Sequence, residues 1–209
     1  MRQKVARSAT VNAHDALSRF DHRRSLPCVR VVAGDLRGRR IESPVGDATR
    51  PTTDKVREAV FNALGSLDVV DGALVLDLFA GTGAMGIEAL SRGAAHCVFV
   101  ESDRGALHVL RSNIETLGLR DRSTVVAGDV HSLPAHHHTA DLVIADPPYG
   151  YSTWSLLLDS VDCPFVVLES DREIGEVDGW NTVRARKYGR THVSFLEPVG
   201  SPDGTVEGE

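Results

Sequence analysis

A chain of 209 residues, 42% hydrophobic and 25% charged, has the composition of a soluble globular protein and room for one large domain with an appendage. No apolar run approaches the ~20 residues that span a bilayer, and the basic N-terminus has no apolar core of a secretory signal; a cytoplasmic protein with no membrane contact is expected. The net charge of −6 argues against a protein that coats nucleic acid indiscriminately.

That charge is unevenly placed. Residues 1–60 hold 13 Lys and Arg against 7 Asp and Glu, whereas the remainder holds 10 against 22. The first third is therefore the part suited to meet a polyanion. Cys28, Cys97 and Cys163 are widely spaced with no CxxC pair, which points away from a disulfide framework and from a zinc site.

In chain order, residues 1–28 are polar and read as a flexible extension. Residues 29–33 and 36–42 are short β-prone runs around Gly34-Asp35, so 29–49 read as a basic β-hairpin appendage. Arg30, Arg37, Arg39 and Arg40 stud it. The guanidinium fork suits bidentate phosphate contacts, so an RNA-docking surface is expected, with an ordinary charged face as the alternative. Residues 50–198 read as the main domain. Pro51 opens a helix that Thr52 or Thr53 can cap; Val56, Ala59, Val60, Ala63 and Leu64 share one apolar face, and Gly65 suits the stop. The Arg50–Thr53 stretch can approach a bound cofactor.

Residues 73–79 read as a buried strand, followed by Ala80-Gly81-Thr82-Gly83-Ala84-Met85-Gly86 and a helix that stops at Gly93. A strand, a glycine turn and a helix N-terminus serve dinucleotide and S-adenosylmethionine sites alike. Asp77 discriminates. A carboxylate four residues before Gly81 would repel a diphosphate but suits the ammonium and sulfonium of S-adenosylmethionine. Residues 96–100 give the second strand. Glu101 follows about 20 residues past Gly81, where an acid can take ribose hydroxyls. Ala106, Leu107, Leu110, Ile114 and Leu117 line the next helix, and residues 123–127 form the third strand. Asp129 would accept from an adenine amino group with Val130 against the ring; an exposed turn aspartate is the alternative. His131 and His136-His137-His138 do not form a metal site, because consecutive histidines do not converge on one point.

Leu142 to Ala145 form a short apolar run of buried-strand length. Asp146, Pro147, Pro148 and Tyr149 follow it, and the two prolines forbid continued pairing or an immediate helix. A carboxylate, a rigid turn and an aromatic ring are thus held past the end of a parallel strand, where open α/β sheets bind ligands. Asp146 and the Pro147 carbonyl can accept both N–H bonds of an exocyclic amine, while Tyr149 stacks on the base. The competing reading is a turn closed by prolines. Residues 152–161 then read as a helix bearing Trp154, Leu157, Leu158 and Val161. Residues 164–168 form a strand followed by Glu169-Ser170, and 180–188 and 191–196 form a closing antiparallel pair. Arg184, Arg186, Lys187 and Arg190 make that pair basic and could add to a substrate surface. Residues 199–209 read as a polar tail.

The sequence resembles the class I S-adenosylmethionine-dependent methyltransferases, and more narrowly the RsmD-type 16S rRNA guanine-N2 methyltransferases, over about residues 29–197. Four stretches carry this: Arg30-Val-Val-Ala-Gly with Leu36-Arg-Gly-Arg-Arg40; Arg50-Pro-Thr-Thr-Asp through Asn62; Leu76-Asp-Leu-Phe-Ala-Gly-Thr-Gly through Gly93; and Ala145-Asp-Pro-Pro-Tyr149. Glu101-Ser102-Asp103 and Lys187-Tyr-Gly189 also fit. The resemblance implies a Rossmann-like α/β fold, a seven-stranded, mostly parallel sheet with helices on both faces and one antiparallel strand. It implies S-adenosylmethionine contacts from Asp77, Phe79, Ala80, Gly81 and Gly83, with Glu101 and Ser102 at the ribose, Asp129 and Val130 at the adenine, and Arg50 and Thr52 nearby. It places Asp146, Pro147, Pro148 and Tyr149 around the target amine. The implied partner is 16S rRNA in the small ribosomal subunit or its assembly intermediate, and a monomer is expected, since no coiled-coil segment demands a partner. Two rivals stay open: an adenine-N6 methyltransferase using the same turn, and a non-catalytic RNA-binding or assembly factor. A dinucleotide oxidoreductase is a more distant third.

Overall fold

The computed structural model describes residues 28–43, 51–133 and 139–200. The expected extension before Cys28, Arg50, the side chains of Thr52 and Thr53, His136 to His138 and the tail from residue 201 lie outside the described residues. No helix among the described residues is long and apolar enough to cross a membrane.

One sheet organises the chain. Its strands are β3 (Leu74–Leu78), β4 (His96–Glu101), β5 (Ser123–Ala127), β6 (Leu142–Ala145), β7 (Val166–Ser170), β8 (Trp180–Tyr188) and β9 (Thr191–Pro198), in the order β5-β4-β3-β6-β7-β9-β8. All neighbours pair in parallel except β9, which runs antiparallel to both β7 and β8. This is the seven-stranded, mostly parallel sheet with one antiparallel strand that the resemblance implied. β6 is buried at every residue, as its short, unbroken apolar run requires.

Alternation along each strand divides the core in two. Val75, Cys97, Phe99, Leu142, Ile144, Val167 and Phe195 pack on one face against α1 (Pro51–Ser66), α2 (Ala84–Ser91) and α3 (Arg104–Leu117). Leu76, Leu78, Val98, Val100, Val143, Ala145 and Leu168 pack on the other, with Val130 and α4 (Trp154–Leu158). After β3 the chain moves to β4 and β5 on one side, then returns to place β6 on the other. The C-terminal ends of β3 and β6 therefore flank a topological switch point, where a crevice opens.

Several boundaries differ from expectation for local reasons. In α1, Arg57 and Phe61 are buried while Ala59 is only half-buried, and Gly65 lies inside the helix, which ends at Ser66. α4 is shorter than residues 152–161, because the Ser160 hydroxyl and amide both donate to the Leu157 carbonyl and close the turn. Glu169 and Ser170 belong to β7 and do not follow it.

The hairpin is also shorter than expected. β1 (Cys28–Arg30) and β2 (Arg40–Glu42) pair antiparallel. Between them the chain folds on itself, with the Val31 amide donating to the Arg39 carbonyl at 3.0 Å and Gly38 to Val31 at 2.8 Å. The hairpin shares the main core, since Val31 and Ile41 are buried within it. Three side chains fasten it to the helices. Glu88 accepts from the amides of Val32 and Ala33 at 2.8 and 3.0 Å, Ser91 Oγ accepts from Leu36 at 3.0 Å, and Asn113 exchanges bonds of 2.9 and 3.1 Å with the Glu42 backbone. Gly34 has φ +79°, and a Cβ there would stand 1.8 Å from the Ser91 carbonyl oxygen, so no other residue fits.

Glu88 is fully buried and meets two cations, Arg92 Nε at 2.8 Å and Arg57 Nε at 3.4 Å. Removing this carboxylate leaves Arg92 without its ion-pair partner and the buried Arg57 with only the more exposed Asp54 at 3.2 Å, at a cost of about 3–5 kcal/mol. Glu88→Ala should therefore lose stability on that scale in chemical denaturation, with amide exchange at Val32 and Ala33 accelerating together; an unchanged midpoint would rule this out.

Candidate active site

The crevice at the switch point is built from strand ends. Asp77 sits one residue before the end of β3 on the α2 face, and its Oδ2 accepts from the Gly86 amide at 2.8 Å. Gly86 is what allows that approach. A Cβ there would fall 2.4 Å from the Phe99 ring, 2.5 Å from Cys97 Sγ and 2.9 Å from Asp77 Oδ2. Between strand and helix, Phe79 and Gly81 both take left-handed backbone conformations, with φ of 59° and 54°. For Phe79 this costs on the order of 1–3 kcal/mol, a strain characteristic of ligand-binding turns. Gly83 caps α2 without a side-chain hydrogen bond, and the Asp77 carboxylate, from the preceding strand, takes the Gly86 amide in the first turn instead.

Glu101, at the end of β4, ties this turn to the next. Its Oε2 accepts from the Gly81 amide at 2.7 Å, and Oε1 accepts from Ser102 and Asp103 at 2.8 and 2.7 Å. A carboxylate has about four acceptor positions, so lone pairs remain for ligand hydroxyls. Asp129 is exposed after β5; its Oδ1 accepts from the His131 amide at 2.8 Å and caps the short turn Val130–Ser132. Val130 is packed into the core of the α4 face.

Asp146 follows β6 directly. Its surface is open to the solvent, but protein crowds its carboxyl enough to raise its pKa. Three further carboxylates lie on the adjacent strands. Burial pushes Asp77 up to about 7, and the charges of Asp146 and Glu101 add to the effect. Glu169, next in register beyond the Ala145–Leu168 pair, is raised by burial and then by the charge of Asp146, with Arg57 opposing. Repulsion among these acids is relieved by a cation, whereas a diphosphate would intensify it. The donor set thus fits the sulfonium and ammonium of S-adenosylmethionine.

Pro147 is buried and Pro148 exposed, and the Tyr149 ring is 78% exposed beside Asp146. Behind it stands an aromatic wall. Tyr151 meets Trp154 edge-on at 4.7 Å and Phe79 at 5.4 Å, stacks on His131 at 6.2 Å, and brings its hydroxyl within 3.2 Å of His131 Nε2. It joins the turns after β3, β5 and β6.

The structure therefore gathers Asp77, Phe79 to Gly83, Glu101, Ser102, Asp129 and Asp146 to Tyr149 at one edge of the sheet. The hairpin arginines lie elsewhere. Arg30 donates to the Gly38 carbonyl at 2.9 Å and Arg39 to the Thr116 carbonyl at 3.1 Å. Sequence reasoning missed Glu169, Tyr151 and Asn113. Asn113 donates at 3.0 Å to the Thr82 carbonyl as well as bonding Glu42, which links the hairpin to the glycine turn. A polar residue at a buried position of α3 was the available signal for Asn113; Tyr151, two residues beyond Tyr149, was a second.

Residues 29–197 match the family described as "Conserved hypothetical protein 95". Among curated relatives, "Putative rRNA methyltransferase YlbH" of Bacillus subtilis is 37% identical over 186 residues, covering 82% of this chain and all of the relative. "Ribosomal RNA small subunit methyltransferase D" of Escherichia coli is 37% identical over 154 residues, covering 70% of this chain and 77% of the relative. Among solved structures, "Putative methyltransferase yhhF from Escherichia coli" superposes with a TM-score of 0.72 at 34% identity, covering 82% of this chain and 98% of that one. Fold, crevice and these likenesses together show that the chain belongs to the Conserved hypothetical protein 95 family, the RsmD-type group its sequence resembles.

Proposed function

We propose that this protein transfers a methyl group from S-adenosylmethionine to the exocyclic N2 amine of one guanine in 16S rRNA, acting in the cytoplasm as a monomer on the small ribosomal subunit or its assembly intermediate. The observation that carries the reading is the Asp146-Pro147-Pro148-Tyr149 turn, set at the switch point beside an acidic edge suited to a cationic cofactor. The relatives named as small-subunit rRNA methyltransferases support the substrate class.

When bound, the cofactor supplies a methyl made electrophilic by its sulfonium. The chain supplies alignment. The target guanine leaves its stack and rests on the exposed Tyr149 ring. Asp146 Oδ and the Pro147 carbonyl accept the two N–H bonds of the amine, which aims the nitrogen lone pair at the methyl carbon. The Asp146 carboxylate would stabilise the positive charge that grows on the nitrogen as the bound cofactor gives up its methyl and leaves as the neutral thioether. One proton then leaves the methylated nitrogen for solvent, through Asp146 or directly. Asp77 and Glu101 hold the turn that receives the cofactor, Asp77 through Gly86 and Glu101 through Gly81.

Given labelled S-adenosylmethionine and small subunits lacking the modification, the protein should place the label in N2-methylguanosine. Asp146→Ala should lower turnover by about 10² or more while cofactor binding survives. Label in N6-methyladenosine, or a variant as fast as wild type, would contradict the reading.

Cofactor binding should release protons near neutral pH. Asp77 has a pKa of about 7 in the fold against 3.8 as a free side chain, so between these values the folded protein holds a proton that the unfolded chain has lost. The stability this group contributes is present at low pH and is lost as pH rises through about 7. A bound cation favours the carboxylate and expels the proton. Calorimetry in buffers of different ionisation heat should show net release around pH 6–7 that Asp77→Asn reduces; equal release from both proteins would assign it elsewhere.

Neutralising Arg37, Arg39 and Arg40 together should weaken binding to small subunits and flatten its dependence on salt, because fewer phosphates are neutralised. Unchanged affinity and slope would leave the hairpin as surface only.

A further inference from the structure

A second concavity adjoins the Asp146–Tyr149 turn. It has a volume of about 400 Å³ and is lined by Tyr149, Asp171, Lys187, Gly189, Arg190 and His192. Tyr149 forms one wall, so whatever fills it lies next to a base stacked on that ring. The other walls come from the tip of the β8–β9 hairpin and the chain leaving β7. Lys187 and His192 face each other across the β8–β9 ladder, and His192 pairs with Ser170 on the other side.

The charge of this pocket is one-sided. Among the described residues, neither Lys187 nor Arg190 has a carboxylate within ion-pair distance, and both are exposed. The one acid in the lining, Asp171, is already engaged; its two oxygens accept from Arg172 Nε and Nη2 at 3.1 and 3.3 Å, which holds its pKa down. A flexible ammonium, a guanidinium fork and an imidazole line the space, and its one carboxylate is paired with Arg172, which leaves the donor set of a phosphate site. The strand also sorts its cations. Lys187 lies on the opposite face of β8 from Arg184 and Arg186; the Arg184 guanidinium sits over the Phe195 ring, and Arg186 Nη1 donates to the Ala185 carbonyl. The four basic residues that look alike in sequence are thus divided between the pocket and the outside.

We infer that the pocket formed by Tyr149, Lys187, Arg190 and His192 binds the backbone phosphate flanking the target nucleotide. The inference rests on the proposed methyl transfer to RNA and adds a contact to it. A nucleotide leaves its stack by turning about its backbone, so a flanking phosphate must be held close to the turn that receives the base. Two unpaired cations beside the Tyr149 ring do this, next along the same edge of the sheet beyond Glu169.

The test compares Lys187→Gln/Arg190→Gln with Arg184→Gln/Arg186→Gln, which removes the same charge from the outer face. Equilibrium binding of small subunits lacking the modification is measured across a salt series, alongside methyl transfer and cofactor affinity. The pocket variant should bind subunits more weakly, with a log–log salt slope shallower by about 0.7 per lost phosphate contact. Cofactor affinity and melting temperature should be unchanged, and the outer pair should have a smaller effect. Arg190→Gln alone, at a turn position with no side-chain partner among the described residues, should give part of the same change and guards against misfolding of the double variant. Equal effects from the two pairs, or wild-type affinity and slope in the pocket variant, would overturn the inference. If wild type transfers no methyl group yet binding still depends on Lys187 and Arg190, the methyl-transfer reading falls and the phosphate pocket stands.

Discussion

Glu101, Asp77, Asp146 and Glu169 occupy the C-terminal ends of four adjacent strands, β4, β3, β6 and β7. A parallel sheet leaves them no choice, since every strand that ends in an acid delivers it to the same edge. Burial, and after it mutual repulsion, raises the pKa values of Asp77 and Glu169, burial raises that of Asp146, and the edge is left short of positive charge. Backbone amides meet part of the need, with Gly86 donating to Asp77 and Gly81, Ser102 and Asp103 donating to Glu101. The glycine turn is held by these bonds, so the acids of the edge also shape the loop beside them.

The hairpin depends on a different buried acid. Glu88 joins the backbone of Val32 and Ala33 to Arg57 and Arg92, so α1, α2 and the hairpin meet at one carboxylate. Arg57 also donates to the Arg30 carbonyl and is the cation that favours the charged form of Glu169. Asn113 links the hairpin to the glycine turn through Glu42 and Thr82. The hairpin is consequently held in a fixed relation to the crevice.

The molecule is polarised by function. The crevice is acidic, while the hairpin and the pocket at the β8–β9 tip are basic. Tyr149 stands between the acidic crevice and the basic pocket as an exposed ring at their boundary. The net charge of −6 thus conceals separate acidic and basic regions.

The strand identities, the glycine turn and the Asp-Pro-Pro-Tyr turn were legible in the sequence, because each is set by local chemistry: apolar runs of strand length, glycines that permit close approach, prolines that end pairing. The likeness to known methyltransferases rested on the two turns together with the Arg30–Arg40 and Arg50–Asn62 stretches. Glu169 was visible but had no role until β7 was laid beside β6. Tyr151 joined the site only when three turns converged on it, and Asn113 only when α3 was brought against the hairpin. Arg184, Arg186, Lys187 and Arg190 could not be told apart along the chain. The sequence by itself determined which residues could end a strand, make a turn or carry charge, since those properties belong to single residues and their immediate neighbours. Tertiary structure alone decided which acids share an edge and which cations share a pocket, since repulsion, burial and unpaired charge exist only between groups that folding brings together.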